Sequence, residues 1–540
     1  MLLRSDSRDG DVEREWLGRA SGWHFIAGIS WILLTAIVVL GPALYYDKHF
    51  LGEHAGKWLS ALTAATGAVT GLLGMSGLTP AEGKASGRSA ISANIALAIA
   101  GPLFAVLVLI LLSVTVDLYG YDLGQEVFSA CAACDRHLYD LLVILVGAAV
   151  VMLAADRFVN INAFSIHAIY RNRLVRAFLG GARAPHRHPD GFTDFDWYDD
   201  LRVASLWAQK APERKGWRPF HVINMTLNLS VTNNLAWQQR KAMPFTVTPF
   251  SCGNADLGYR PTDRYGGPYR ESSDMGGISL GTAMAISGAA VSPNMGYHSS
   301  KSLSFLLTFF NVRLGCWLGN PGMGGGRYYS HEGPRFALWP LLKELFGLTS
   351  DKSPYVYLSD GGHFEDLGLY EMIRRRCKMI LVVDGAQDVK RGYEDLGNAV
   401  RKIWIDLGVR ISFLASPLLA ADENTTPADV PYFALGRISY VSDTESDGSV
   451  PEGKILYIKP MVRGDEAAAD VIAYKRAHTD FPQQSTGNQW FDEPQLESYR
   501  CLGYLMIDRI IEPLAPDGAA LHSLEELFNG LAEIDAAAMK

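Results

Sequence analysis

The pattern of polar and apolar positions divides the chain in two. The N-terminal part, up to about residue 156, is mostly apolar, and the C-terminal part alternates apolar and polar segments. Four stretches in the N-terminal part contain no Asp, Glu, Lys or Arg: Phe25–Tyr46, Trp58–Ala81, Ser89–Val116 and Leu141–Ala155. A helix needs about 20 mainly apolar residues to cross the hydrocarbon core of a bilayer. The pattern therefore predicts an N-terminal tail at residues 1–22 and about four membrane-spanning helices between residues 23 and 156.

The second of these stretches, Trp58–Ala81, is rich in Gly, Ala and Thr, and a surface or re-entrant segment is the alternative for it. The basic residues give the orientation, because cytoplasmic loops carry an excess of Lys and Arg. They concentrate before the first stretch and after the fourth. We therefore expect a multi-pass protein of a bacterial inner membrane, with a cytoplasmic C-terminal domain.

Residues 157–217 alternate apolar side chains with arginines, which predicts a basic amphipathic connector. Such a helix suits the headgroup boundary of a membrane, and an ordinary helix packed on the following domain is the alternative. Residues 218–540 then form the C-terminal domain.

Within that domain, short apolar runs alternate with helical patterns. Strands are predicted at residues 219–230, 356–359, 379–384, 409–414 and 453–462, and helices at residues 282–290, 367–377 and 392–408. Strands alternating with helices indicate β-α-β connections and a parallel or mixed sheet flanked by helices. The predicted fold class is thus a four-helix transmembrane region followed by an α/β domain.

Composition narrows the possible functions. The 48% of apolar residues exclude wholesale disorder, and a net charge of -8 argues against a nucleic-acid partner held by bulk charge. Among the six cysteines only Cys131 and Cys134 have a suggestive spacing, and a local disulfide and two unpaired small residues are both open for them. No second such pair exists that would complete a zinc site. We expect no metal and no cofactor.

The sharpest chemical signal is Asp360-Gly361-Gly362, directly after a predicted strand. The carboxyl ends of strands in α/β sheets are where ligands and catalytic groups lie. Glycines there let the backbone turn and let another group approach the carboxylate. An ordinary turn is the alternative, and Asp384-Gly385 repeats the arrangement after the next strand.

The order of two segments favours a catalytic site over an ordinary turn at Asp360. GISLGTAMAISGAAVSPNMGYHSS (277–300) is followed some way on by YLSDGGHFEDLGLYEMIRRRC (357–377). This order resembles the patatin-like phospholipase family, in which an A-S-A-A-x-P segment precedes a D-G-G/A motif. The strand at 219–230 and the segment 481–503 are similar to bacterial relatives of the cytosolic phospholipase A2 type. The resemblance covers roughly residues 157–510.

The resemblance implies a lipid acyl hydrolase with a Ser-Asp dyad, in which Asp360 matches the aspartate. Gly361, Gly362 and Ser287 are then expected at the substrate. The family's Gly-rich oxyanion loop and its G-x-S-x-G serine are not found upstream of residue 277. Ser279 lies in a G-x-S-x-G string, but its polar flank favours a helix cap over a nucleophile.

Residues 324–327 (GGGR) resemble the oxyanion loop superficially, and a surface loop is the favoured interpretation of them. The preferred function is a phospholipase A-like membrane acyl hydrolase whose nucleophile segment is absent from the chain. Its partners would be membrane lipids and an upstream-encoded polypeptide that supplies the nucleophile. The alternative is a truncated or inactive patatin-like membrane protein that binds lipid.

Overall fold

The structure is a computed structural model of the 540-residue chain. It describes residues 136–538 and parts of 24–38 and 106–116. Within 136–538 it leaves out residues 164, 192–193, 208–218, 233–234, 268–275, 296–300, 310, 414–415, 442–449, 465, 467, 486–490 and 516–520. The chain forms two compact units, Met1–Leu72 with Glu82–Phe158 and Leu73–Ala81 with Val159–Lys540.

Twelve helices of the described residues are numbered in chain order. They are α1 (Arg136–Phe158), α2 (Ile166–Leu174), α3 (Leu235–Arg240), α4 (Leu280–Ser287), α5 (Lys301–Phe309), α6 (Leu338–Leu345), α7 (Leu369–Arg374), α8 (Glu394–Leu407), α9 (Pro417–Ala420), α10 (Ala469–Ala477), α11 (Glu493–Ile511) and α12 (Leu524–Ala538). Helix α1 lies in the first unit and the others lie in the second.

In the part of the chain that the structure describes, ten strands form two sheets. The six-stranded sheet has the order β4-β3-β2-β1-β6-β5 and the four-stranded sheet the order β7-β10-β9-β8. The strands are β1 (Ile223–Asn228), β2 (Ala242–Val247), β3 (Ser251–Asn254), β4 (Gly258–Pro261), β5 (Cys316–Gly319), β6 (Tyr355–Ser359), β7 (Met379–Val383), β8 (Arg410–Phe413), β9 (Phe433–Ser439) and β10 (Glu452–Ile458).

The parallel β-α-β architecture predicted from the sequence is wrong for the six-stranded sheet. Every pair in that sheet is antiparallel. For β2, β3 and β4 the physical reason is the length of the connections: only three residues separate β2 from β3 and three separate β3 from β4. A parallel pair requires a crossover of a dozen or more residues, whereas short links return the chain antiparallel.

The four-stranded sheet contains one parallel pair, β7 with β10, and its remaining pairs are antiparallel. Strand β7 has no alternation in its sequence, a pattern typical of a strand buried on both faces. Leu381 and Val383 are nevertheless exposed while Ile380 and Val382 are buried. The strand therefore buries one face only, and it lies at the edge of the sheet.

Two large apolar cores hold the second unit together. One lies around the four-stranded sheet, α7, α8 and α11 and includes Ile373, Ile403 and Ile455. The other lies around the six-stranded sheet and α4 and includes Leu227 and Ile286. A smaller cluster joins Tyr170 of α2 to Ala285 and Ala289, so the connector helix packs on α4, as the alternative interpretation had it.

The prediction of four membrane spans, and with it that of a multi-pass membrane protein, is contradicted. Among the described residues, no helix combines the length and the apolarity that crossing a membrane requires. In α1 the uncharged run Leu141–Ala155 covers roughly 22 Å, less than the hydrocarbon core of about 30 Å. The predicted second span, Trp58–Ala81, and the pair Cys131 and Cys134 lie outside the described residues.

Candidate functional site

Asp360 directly follows β6 and begins a tight turn. Its carboxylate caps the 3-10 turn Gly361–His363, because Oδ1 accepts a hydrogen bond from the Gly362 N–H at 2.8 Å. The turn lies against β1, where the Thr226 hydroxyl donates to the Gly361 carbonyl at 3.1 Å. Strand β6 and its neighbour β1 thus fix the backbone on which the carboxylate sits.

Both glycines of the motif are required by close approach. A Cβ built on Gly361 would lie 3.2 Å from the carbonyl oxygen of Asn224. A Cβ on Gly362 would lie 1.9 Å from Oδ1 of Asp366 and 3.3 Å from Oδ1 of Asp360. Gly362 therefore makes room for a second carboxylate beside the first.

Burial dominates the electrostatics of this turn. Loss of solvent raises the pKa of Asp360 to about 6, and the hydrogen bond from Gly362 only partly opposes the rise. Burial, and then the charge of Asp360, raises the pKa of Asp366. Asp366 is hydrogen-bonded to Asp395, whose pKa burial and the Asp366 charge raise as well. No described cation forms a salt bridge with Asp360.

Asp384 follows β7 with the same Asp-Gly sequence but has a different environment. Its Oδ1 lies 2.9 Å from Nζ of Lys459, and its Oδ2 accepts a hydrogen bond from the Tyr457 hydroxyl at 2.5 Å. The Asp384 and Lys459 side chains are 1% and 5% exposed. The Asp384 carboxylate thus lies in the core with its charge paired to Lys459. The Asp360 carboxylate is withdrawn from solvent, and no described cation pairs with it.

Ser279 lies at the far end of α4 from this turn. It is the N-cap of the helix: its Oγ accepts from the Thr282 N–H at 3.2 Å and lies 2.9 Å from Thr282 Oγ1. Ser279 itself forms an isolated antiparallel bridge with Arg202 and belongs to neither sheet. An eight-residue helix rises roughly 12 Å, which separates Ser279 from the end of α4 that carries Ser287.

Ser287 lies close to the Asp360 turn. Its hydroxyl donates to the carbonyl oxygen of Asn224 at 2.8 Å, the same oxygen that Gly361 faces. Ser287 is therefore a neighbour of Gly361 through one shared atom. Among the described residues, no serine hydroxyl is hydrogen-bonded to the Asp360 carboxylate.

His363 and Glu365 have separate roles. Glu365 caps α7, since its carboxylate accepts from the N–H groups of Leu367 and Tyr370 at 2.6 and 3.2 Å. His363 Nε2 lies 3.2 Å from the Ala290 carbonyl, an acceptor, so this nitrogen carries the proton. Its Nδ1 then accepts from the Ser359 hydroxyl at 2.7 Å. The described residues contain no group of three or more His, Cys, Asp or Glu arranged to hold a metal ion.

Sequence reasoning missed the polar face of β1. The expected strand placed its apolar side chains on one face, and the residues between them are Asn224, Thr226 and Asn228. The Asn228 side chain donates to the Ser359 hydroxyl at 2.7 Å and the Thr226 hydroxyl donates to the Gly361 carbonyl, whereas Asn224 faces Gly361 with its main-chain carbonyl. The same period-2 alternation that predicted the strand therefore contained the signal for this face.

Two other features lie away from Asp360. Gly319 pairs with Tyr355, the first residue of β6, so residues 324–327 follow β5 at the end of the sheet opposite Asp360. A cleft with a volume of about 50 Å³ lies beside β2 and β3, and Asp360 is not among its lining residues. Its polar wall includes Asp256, Arg374 and Asp406.

Comparison with known proteins gives little. No family model matches the sequence, and none of the curated proteins matches it. Among solved structures, human GIVD cytosolic phospholipase A2 matches with a TM-score of 0.36 and 15% sequence identity. The match covers 72% of this chain and 55% of that chain, so the chain spans about half the length of that protein. The likeness to a cytosolic phospholipase A2 is a distant structural one, without support from a family model or a sequence relative.

Proposed function

We propose that the protein is an acyl ester hydrolase of the phospholipase A type, in which Asp360 is the general base of a Ser-Asp dyad. The observation that carries the proposal is the state of this carboxylate. It stands at the end of β6, is hydrogen-bonded to one backbone N–H and has its pKa raised to about 6 by burial. The resemblance of residues 277–300 and 357–377 to the patatin-like motifs supports the reaction class.

A pKa near 6 suits a general base. At pH 7 most Asp360 is ionised, yet the carboxylate is far more basic than a solvated aspartate. Proton transfer is most effective when the pKa of the base lies near the working pH. The other Asp-Gly aspartate, Asp384, is paired with the Lys459 ammonium instead.

The nucleophile is a separate part of the proposal. The Oγ of Ser279 is bonded to Thr282, and that of Ser287 to the Asn224 carbonyl. Neither hydroxyl is bonded to Asp360, and we propose that a serine of another polypeptide is the nucleophile. That serine would attack the ester carbonyl while Asp360 takes its proton, and the proton would then pass to the leaving alcohol. Water would release the acyl group from the serine in a second step.

A short-chain ester assay tests whether Asp360 acts as the base for a nucleophile of another polypeptide. The purified chain alone is expected to hydrolyse 4-nitrophenyl butyrate no faster than its Asp360→Ala variant. Co-expression with the polypeptide encoded upstream should give turnover that Asp360→Ala abolishes. Turnover by the chain alone that is lost in both Asp360→Ala and Ser279→Ala would establish a dyad with Ser279 and refute the separate nucleophile.

One observation favours a second function: no described serine hydroxyl is bonded to Asp360. A chain without a nucleophile would bind lipid and hydrolyse nothing. In that case phosphatidylcholine vesicles should bind the wild type and Asp360→Ala equally, and the upstream polypeptide should produce no turnover. Turnover in the co-expressed pair would exclude this alternative.

A further inference from the structure

Tyr170 is a buried aromatic residue of α2 whose hydroxyl lies at the C-terminal end of α4. Its side chain packs with Ala285, Ala289 and Leu314 and is 7% exposed. A Cβ built on Gly288 would lie 2.8 Å from the Tyr170 hydroxyl oxygen, and the next heavy atoms would be 3.8 Å away. The Tyr170 hydroxyl thus occupies the space that a side chain at position 288, directly after α4, would need.

The same end of α4 lies against the Asp360 turn. Ser287 donates to the Asn224 carbonyl that Gly361 faces, and His363 donates to the carbonyl of Ala290. Residues 287–290 therefore have Tyr170 and the turn as direct neighbours. Burial, and then the negative charge of Asp360, raises the pKa of Tyr170 to about 12, so the hydroxyl keeps its proton at neutral pH.

We propose that Tyr170 is a positioning residue of the Asp360 site. Its hydroxyl holds residues 287–290 against the turn and, through them, sets the surroundings of the Asp360 carboxylate. The catalytic meaning of this role rests on the proposed function, whereas the placement and its effect on Asp360 do not. The connector thereby becomes part of the site.

A double-mutant cycle tests the placement. Gly288→Ala is expected to lower the midpoint of guanidinium unfolding, because the new Cβ meets the Tyr170 oxygen. Tyr170→Phe removes that oxygen, so the double variant should regain most of the loss. Gly281→Ala is the matched control at the other end of α4, where a Cβ would meet Val175 and Asp200. Tyr170→Phe should not rescue it.

The effect on Asp360 is measured without any turnover. A hydrophobic carbodiimide modifies protonated carboxyl groups, and mass spectrometry of the full chain then gives the labelled fraction at Asp360 against pH. Replacing the hydroxyl by an apolar group should disfavour the ionised form, so Tyr170→Phe should raise the labelling midpoint by about half a pH unit. Tyr198→Phe, at an exposed tyrosine of the same connector, should leave it unchanged.

Rescue of Gly288→Ala together with the raised midpoint supports the inference. Failure of the rescue, rescue of Gly281→Ala as well, or an unchanged midpoint in Tyr170→Phe would overturn it. Absence of ester hydrolysis in every preparation would overturn the proposed function alone, because neither of these two measurements uses an ester.

Discussion

The raised pKa of Asp360 means that the ionised carboxylate destabilises the folded wild type, which a neutral side chain at this position would not do. In the unfolded chain the carboxyl titrates near 3.8, and in the folded protein near 6. Each pKa unit corresponds to about 1.4 kcal/mol, so the ionised form costs roughly 3 kcal/mol of folding free energy. Well below pH 3.8 the group is protonated in both states and costs nothing. Stability is lost as the pH rises from 3.8 through the folded pKa of about 6, and above that the loss is constant.

Asp360→Asn should therefore stabilise the protein at pH 8 and change little at pH 4. The amide oxygen keeps the hydrogen bond from the Gly362 N–H, while the buried charge is gone. We expect a gain of up to about 3 kcal/mol at pH 8, which disappears as the pH falls below the folded pKa. The charge of Asp360 also raises the pKa of Asp366, so the variant should lower the pKa of Asp366 as well.

Guanidinium unfolding followed by tryptophan fluorescence, at several pH values between 4 and 8, measures the difference between variant and wild type. Asp384→Asn is the matched control, since it leaves the Lys459 ammonium buried and unpaired. Breaking such a pair costs about 3–5 kcal/mol. If Asp360→Asn destabilises the protein at pH 8 as Asp384→Asn does, the desolvation argument for Asp360 is refuted.

Three further predictions use the same unfolding assay. Gly362→Ala should cost about 2 kcal/mol because its Cβ meets Asp366, and adding Asp366→Ala should recover it; a tolerated Gly362→Ala would contradict the packing described here. Ser279→Ala should cost about 1 kcal/mol as a lost N-cap and leave carbodiimide labelling of Asp360 unchanged, whereas a changed labelling profile would connect the serine to the site. Arg313 and Glu344 form a buried salt bridge, and Arg313→Met leaves the Glu344 carboxylate unpaired. The substitution should cost about 3–5 kcal/mol at pH 7 and less at pH 4, where Glu344 is protonated. Equal costs at both pH values would argue against a charge effect.

Local patterns in the sequence predicted local structure well. The strand before Asp360, the helix capped by Ser279 and the strand before Asp384 are all present in the structure. Strand direction was not predictable in the same way, because hairpins such as β2–β3 have short, weakly patterned strands that resemble loops. The membrane prediction failed at α1 because the uncharged run Leu141–Ala155, although it lies in one helix, is shorter than the hydrocarbon core.

The candidate site shows most clearly where local reasoning stops. Asp360-Gly361 and Asp384-Gly385 are alike in sequence, and each follows a strand. What separates them is Lys459, which lies 75 residues after Asp384 along the chain and beside it in space. A carboxylate with such a partner is satisfied, whereas one without it is held at a raised pKa by burial. The chemistry of an aspartate is thus decided by tertiary neighbours that its own sequence segment does not contain. The Asp-Gly motif identifies a candidate base, and the packing around the aspartate determines whether it can act as one.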